Sequence, residues 1–427
     1  MIMHRCAVIG VLDNGCDGLT PQAMKALASA DVLVGGTRTL ALFAPALKEG
    51  CVTHDLTGKL GLVPEWIRQA QQDGRRCAVL ATGDPLCHGI ASYLAAQLCI
   101  DAIDVMPNVS TIQLACARIG LPWQDMKICS VHTKDAGEWQ EGCDPKHGLY
   151  ALRQALALHD KLGVLTSPDN TPGRIARLML AAGLQDDFHI AIAENLCSDE
   201  ECIISDLSVA DVAGRTFAEP NAVLLWRSRA RAAVKTFGFP DSDFQQRQPE
   251  KGLITKREVR AVSLARMQLR RDSTVWDIGA GSGSVGVEAA RLCQLGHVYA
   301  VEKNAGDCDN ALANRRAFGL HNYTLIHAKA PEGLENFPDP DAVFIGGSGG
   351  ELSALITLTI QRLKPGGILV MNFVTFENVA TAMDALKNSD AEWDITQLQC
   401  SRSKPILDMQ RLAAENPVWI VTASKRK

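Results

Sequence analysis

Apolar runs of strand length alternate with helical patterns along nearly the whole chain, and the alternation stops once, between residues 227 and 252. Parallel strands need a crossover to reach their neighbours, and a helix is the usual crossover. A chain that repeats this unit builds an α/β sheet covered by helices. Strands are predicted at residues 6–10, 32–35, 76–81, 103–106, 128–131, 162–166 and 190–194. Helices are predicted at 21–30, 90–98 and 174–182. Thr20 caps the first, Pro21 suits its first turn, and Gly183 ends the last. After residues 222–226 the chain turns basic, then rich in Phe, Pro, Asp and Gln without periodicity. This reads as a linker, 227–251, between domains at 1–226 and 252–427. Beyond it, a helix at 256–269 and strands at 274–278, 297–301, 324–327, 342–345 and 367–372 form a second α/β series.

Composition narrows the function. The chain has 427 residues, 47% hydrophobic and 21% charged, which excludes a disordered or collagen-like polymer. Each half is long enough for its own core. Aromatic residues are 5% and the net charge is −5, so a surface that stacks bases or tracks phosphates is not expected. No apolar run reaches the roughly 18 residues of a membrane span. Residues 6–12 follow Arg5 but run straight into Asp13, Asn14 and Gly15, so they read as a first strand and not a signal peptide. The 14 cysteines are scattered without a CxxC pair. They read as reduced thiols of a cytoplasmic protein, and no metal site is expected.

The strongest motif runs from Thr274 to Gly286 and reads TVWDIGAGSGSVG. A strand ends, glycines turn the chain, and a helix begins. Gly279, Gly281 and Gly283 let backbone approach a ligand closely, and the helix start offers free N–H groups. The strand at 298–301 ends in Glu302, placed to accept hydrogen bonds from ribose hydroxyls. Three ligands use such a turn. A P-loop is excluded by the missing lysine. A dinucleotide fingerprint is read as a poorer fit than the Asp277-x-Gly279-x-Gly281-x-Gly283 spacing typical of S-adenosylmethionine (SAM) sites.

In the first half, the strand at 77–81 runs into Thr82, Gly83, Asp84 and Pro85, with Asp84 read as a helix N-cap. Alone this turn says little. It is accompanied by VGGTR at 34–38, GDPL at 83–86 with His88, Gly89 and Ile90, PNVST at 107–111 and LTSPDNTP at 165–172.

In this order the latter motifs resemble the tetrapyrrole methylase family, in its C5-methylating branch. The second half, with TKREVR at 255–260, APEGL at 330–334 and IGGSGG at 345–350, resembles the decarboxylating C15-methyltransferases of corrin biosynthesis. The resemblance implies an α/β chain with a two-lobed tetrapyrrole-methylase domain followed by a Rossmann-like class I SAM methyltransferase domain. It implies two SAM sites per chain and a tetrapyrrole substrate methylated at C5 and C15 with loss of the C12 acetate carboxyl. It implies a homo-oligomer, and no nucleic-acid or membrane partner. Carried over, Gly10, Thr82, Gly83, Asp84, Leu86, Ser110 and Thr111 would meet SAM in the first domain. Thr255, Asp277, Gly279, Ala280, Gly281, Ser282, Gly283, Glu302 and Ala330 would do so in the second. Gly346, Gly347, Ser348 and Gly349 would face the tetrapyrrole. Arg38, Lys256, Arg257 and Arg260 lie beside these motifs and are candidates for its carboxylates. His88 is a candidate for orienting substrate, and no catalytic acid or base is assigned. A macrocycle that already carries cobalt, and a SAM-binding scaffold with one inactive half, are the alternative readings.

Overall fold

The computed structural model describes residues 4–135, 137–230, 235–247 and 254–426. The chain divides into two units, one of residues 1–140 and 151–231, the other of 141–150 and 232–427.

The first unit contains two five-stranded sheets. β1 (Cys6–Val11), β2 (Val32–Gly35), β3 (Val52–Asp55), β4 (Cys77–Thr82) and β5 (Ile103–Met106) pair in the order β3-β2-β4-β1-β5. All the pairings are parallel. Alternate residues feed separate cores: Val8, Val34 and Val79 lie in one cluster, Ile9, Leu33 and Leu80 in another. Both faces are therefore covered, as a parallel sheet requires. β6 (Lys127–Ser130), β7 (Lys161–Leu165), β8 (Phe188–Glu194), β9 (Cys202–Ile204) and β10 (Asn221–Arg227) pair in the order β6-β7-β10-β8-β9. Here β10 runs antiparallel to both neighbours.

The second unit is one seven-stranded sheet. β11 (Thr274–Ile278), β12 (His297–Glu302), β13 (Tyr323–His327), β14 (Ala342–Ile345) and β15 (Ile368–Phe373) are joined by β16 (Ala391–Leu398) and β19 (Val418–Lys425). The order is β13-β12-β11-β14-β15-β19-β16. β11 pairs in parallel with β12 on one side and β14 on the other. The chain order reverses there, and open α/β sheets bind ligands beyond the strand ends at such a reversal. Trp276, Ile278, Val343 and Ile345 enter one core, while Val275, Ala342 and Phe344 enter the other. β17 (Ser401–Ile406) and β18 (Met409–Ala414) form a separate hairpin.

Part of the expected linker is packed structure. Residues 231–234 and 248–251 of that stretch lie outside the described residues. Between them, Phe239 and Phe244 are buried with Ile254 and Val287, and both rings meet Phe318. The Gly238 and Phe239 N–H groups donate to Glu288, at 2.7 and 3.2 Å. Residues 237–247 thus form a strap on the second unit. Their composition suggested a linker because two buried rings among polar residues show no period.

Candidate functional site

In the second unit the chain leaves β11 through Gly279, where φ is +70°. A side chain at this position would run into the Gly347 carbonyl oxygen and lie 2.7 Å from the Gly347 nitrogen. Only glycine lets the two loops meet. The Gly279 N–H donates to the Val301 carbonyl at 2.9 Å. Gly283, at φ +74°, is the N-cap of the helix Ser284–Leu292. Glu302 ends β12 and spans the turn. One carboxylate oxygen accepts the Gly281 N–H and the other the Asn304 N–H, both at 2.9 Å. Each oxygen keeps a lone pair for a further donor.

A cavity of about 280 Å³ opens here, lined by Gly279, Gly281, Glu302, Asn304, Ala330 and Gly346–Gly349 among others. A neighbouring cavity of about 490 Å³ shares Gly346, Gly347 and Ser348 and reaches Thr255, Lys256, Asn372, Asn378 and Asn416. The turn between β14 and the next helix therefore separates a nucleoside-sized space from a larger one.

Several expected site residues do other work. Thr255 lines the larger cavity, not the smaller. Ala280, Ser282 and Gly283 shape the turn and are absent from the cavity wall. Arg260 is not free for substrate. It is fully buried and donates to Glu288 and the Thr255 carbonyl, both at 2.7 Å, to the Phe239 carbonyl, and to Asp241 at 3.2 Å. A guanidinium with those partners fixes the strap against its helix. Arg257 is exposed and lines neither cavity.

Asp277 is also displaced from its expected role. Its Oδ2 accepts the Gly286 N–H at 3.0 Å, while Oδ1 and the nearby Tyr323 hydroxyl are buried without partners. Burial pushes its carboxyl from 3.8 up to about 7, the Glu302 charge pushes the same way, and the Gly286 N–H opposes. A carboxyl raised on folding binds protons more tightly in the native state. Its contribution to stability is present at acid pH and is lost as pH rises from about 4 to about 7. At about 1.4 kcal/mol per unit that loss is roughly 4 kcal/mol. Asp277→Asn should therefore gain stability relative to the wild type across this window. Urea midpoints measured at both ends check it, and a constant difference between the two proteins would contradict it.

Sequence reasoning missed the strap's share in the site. Arg247 lines the smaller cavity and pairs with buried Asp307. Asn314 accepts the Gln245 N–H at 2.7 Å and donates to the Gln245 and Ser282 carbonyls. One amide therefore joins the strap to the glycine turn. Asn304 capping the next helix was the local signal for this corner.

In the first unit, Gly83 (φ +69°) follows β4 and its N–H donates to the Val11 carbonyl at 2.8 Å. Gly10 on the adjacent strand faces it. A side chain at Gly10 would run into the Gly83 carbonyl and lie 2.8 Å from the Asn108 nitrogen. Asn108 in turn donates to the Gly10 and Gly18 carbonyls, at 3.0 and 2.9 Å. Asp84 does not cap a helix. It accepts the Leu86 N–H at 2.9 Å in a local turn, and the helix Ile90–Leu98 starts later, with Gly89 as N-cap. Ser110 caps the helix Thr111–Ile119 in a capping box with Gln113. A cavity of about 260 Å³ is lined by Arg38, Thr82, Asp84, Cys87, His88, Ser110, Thr111, His132, Thr166 and Asn221 among others. Gly10, Gly83 and Leu86 are not in its wall; the two glycines only approach each other closely beside it, Gly83 standing between the lining residues Thr82 and Asp84. Arg38 pairs with Asp13.

Glycine spacing does not choose the cofactor. Gly281, Gly283 and Gly286 also satisfy GxGxxG, so the dinucleotide spacing, taken from sequence as the poorer fit, is met in full. Gly286 is there for packing, since a side chain would lie 2.5 Å from Asp277 Oδ2.

Comparison with known proteins supplies the class. Residues 5–210 match the tetrapyrrole (corrin/porphyrin) methylases and residues 248–425 the precorrin methyltransferase domain, so the chain is a methyltransferase and uses SAM. It is 29% identical over 415 residues to a precorrin-6Y C(5,15)-methyltransferase (decarboxylating) of Sinorhizobium sp, covering 96% of this chain and 94% of that protein. It is 37% identical over 175 residues to a cobalt-precorrin-6B C(15)-methyltransferase (decarboxylating) of Salmonella typhimurium, covering 41% of this chain and 90% of that one. The chain belongs to the family of decarboxylating precorrin-6Y C(5,15)-methyltransferases.

Proposed function

We propose that the chain methylates a precorrin macrocycle at C5 and C15 and releases the C12 acetate carboxyl as carbon dioxide, giving precorrin-8X in cobalamin biosynthesis. The first unit carries the C5 transfer. The second carries the C15 transfer and the decarboxylation. The observation that carries this reading is the pair of cavities, each at a glycine junction of its own sheet, in halves that match two different methyltransferase families.

Bound SAM supplies an electrophilic methyl group on a sulfonium. In the second unit Gly279 and Gly281 would give it room and Glu302 would accept from its ribose, and Ala330 borders the same cavity. In the first unit Thr82, Asp84, Ser110 and Thr111, which line its cavity, would hold it. Alignment at near-attack distance is then the main task of the protein. The larger cavity of the second unit takes the macrocycle edge, with Lys256, Asn372, Asn378 and Asn416 for its carboxylates. Gly346, Gly347 and Ser348 line both cavities and would stand between the two reactants, and Gly349 lines the cofactor side alone. Arg38 serves the first unit. The conjugated ring itself accepts the electron pair freed by decarboxylation.

The protein acts as a cytoplasmic homo-oligomer. Leu407 and Leu412 of the hairpin are 90% and 73% exposed, an apolar tip that a second copy would cover. Among the described residues no helix is long and apolar enough to cross a membrane.

The test is the mass of the product formed from SAM and the metal-free or the cobalt-bearing precursor. Gain of two methyl groups with loss of one carbon dioxide is expected, and the arm that reacts identifies the substrate. A single methyl gained, or a retained carboxyl, would refute the reading.

A further inference from the structure

Alkylation of a neutral, enamine-like carbon leaves a cation. The product becomes neutral only when a nearby N–H or C–H proton is lost, so a base beside the ring serves the reaction. The cavity of the first unit holds four titratable groups besides Arg38: Asp84, Cys87, His88 and His132. Arg38 is paired with Asp13, and Asp84 accepts the Leu86 N–H with one oxygen; a carboxylate is by nature a weaker base than an imidazole. Burial, and then the Asp84 charge, raise the Cys87 thiol above its ordinary value, so it stays protonated. The two imidazoles remain.

His132 is held in one orientation. Its Nδ1 lies 2.9 Å from Ser130 Oγ, and its backbone N–H also points to that oxygen, at 3.4 Å. Ser130 Oγ accepts the backbone N–H and can either accept from Nδ1 or donate to it; in the tautomer with the proton on Nδ1, the Nε2 lone pair is left for a ligand. His88 reaches the same cavity from a left-handed backbone, φ +54°. A side chain held in such a conformation points to a role in the site it faces.

We propose that His132 is the general base of the C5 transfer, with His88 lining the same cavity. This rests on the assignment of C5 methylation to the first unit. The substrate carbon forms its bond to the methyl group while the C–S bond breaks and sulfur keeps that electron pair. The proton released from the ring then moves to His132 Nε2 and on to solvent. No oxidant or further reactant is needed. Burial first, and the nearby His88 second, hold His132 below the ordinary histidine value, so the base form prevails at neutral pH.

The full-length chain tests this. His132→Gln should slow the C5 methyl at least a hundredfold while the C15 methyl and carbon dioxide still appear. The intact second activity, and an unchanged count of bound SAM, report that the variant is folded and loaded. In the wild type the C5 rate should fall as pH drops through the His132 value, and in His132→Gln the residual rate should be flat. NMR titration of labelled imidazoles, without SAM, should show His132 below the ordinary range and moved upward in His88→Gln. A C5 rate within threefold of wild type in His132→Gln, or an unaltered pH profile, would overturn the proposal. Gly83→Val separates the two claims. If it leaves C5 methylation intact, the assignment of C5 to this unit has failed, whatever His132 does.

Discussion

Gly279→Ala is expected to abolish methyl transfer at C15 and to remove one of two bound SAM equivalents. Two costs coincide at this position. A non-glycine residue at φ +70° stores roughly 1–3 kcal/mol of strain. The added carbon also runs into the Gly347 carbonyl and lies 2.7 Å from its nitrogen and 2.9 Å from its carbonyl carbon. All of these atoms are backbone, so no rotamer relieves the overlap. Either the β11 turn or the Gly346–Gly349 loop must move, and both border the cofactor cavity. A displacement of about 1 Å at a reacting centre costs on the order of a hundredfold in rate. Product mass measures the missing methyl, and calorimetric titration measures the missing site. Ordinary C15 methylation in this variant would mean that the glycine junction is only a packing contact.

Gly10→Ala should have the complementary effect in the first unit. Strain plays no part here, since only space is lacking. The new carbon would run into the Gly83 carbonyl and lie 2.8 and 2.9 Å from the Asn108 nitrogen and Cβ. Asn108 cannot rotate away without losing its bonds to the Gly10 and Gly18 carbonyls. β1 and β4 pair directly, with Gly10 opposite Ala81 and Val11 opposite Thr82, so the displacement passes into the cavity edge. The chain should then release a decarboxylated product that carries the C15 methyl and lacks the C5 methyl. A fully methylated product would contradict the placement of the C5 site.

The two variants turn on features of unequal legibility in sequence. β11 and β14 are buried on both faces and read as plain apolar runs, and the glycine turn between them is explicit. β3, β17 and β18 are largely exposed, so neither an apolar run nor alternation marks them. The strap escaped because its information lies in tertiary contacts: Phe244 on Phe318, and Gln245 on Asn314. Arg260 looked like a surface cation for the same reason, because its partners Glu288 and Asp241 are distant in sequence. Asp277 was placed on the right strand end, yet the sequence could not show that its side chain turns beneath the helix toward Gly286. His132 had no motif at all, and only the fold brings it to the cavity that His88 lines.

The central claim is that one chain holds two separate SAM sites, one in each unit. Calorimetric titration of the full-length protein with SAM addresses it without any tetrapyrrole. Two equivalents per chain are predicted, falling to one in Gly279→Ala and to one in Gly10→Ala. A single equivalent in fully active wild-type protein, or the loss of both sites in either variant, would contradict it.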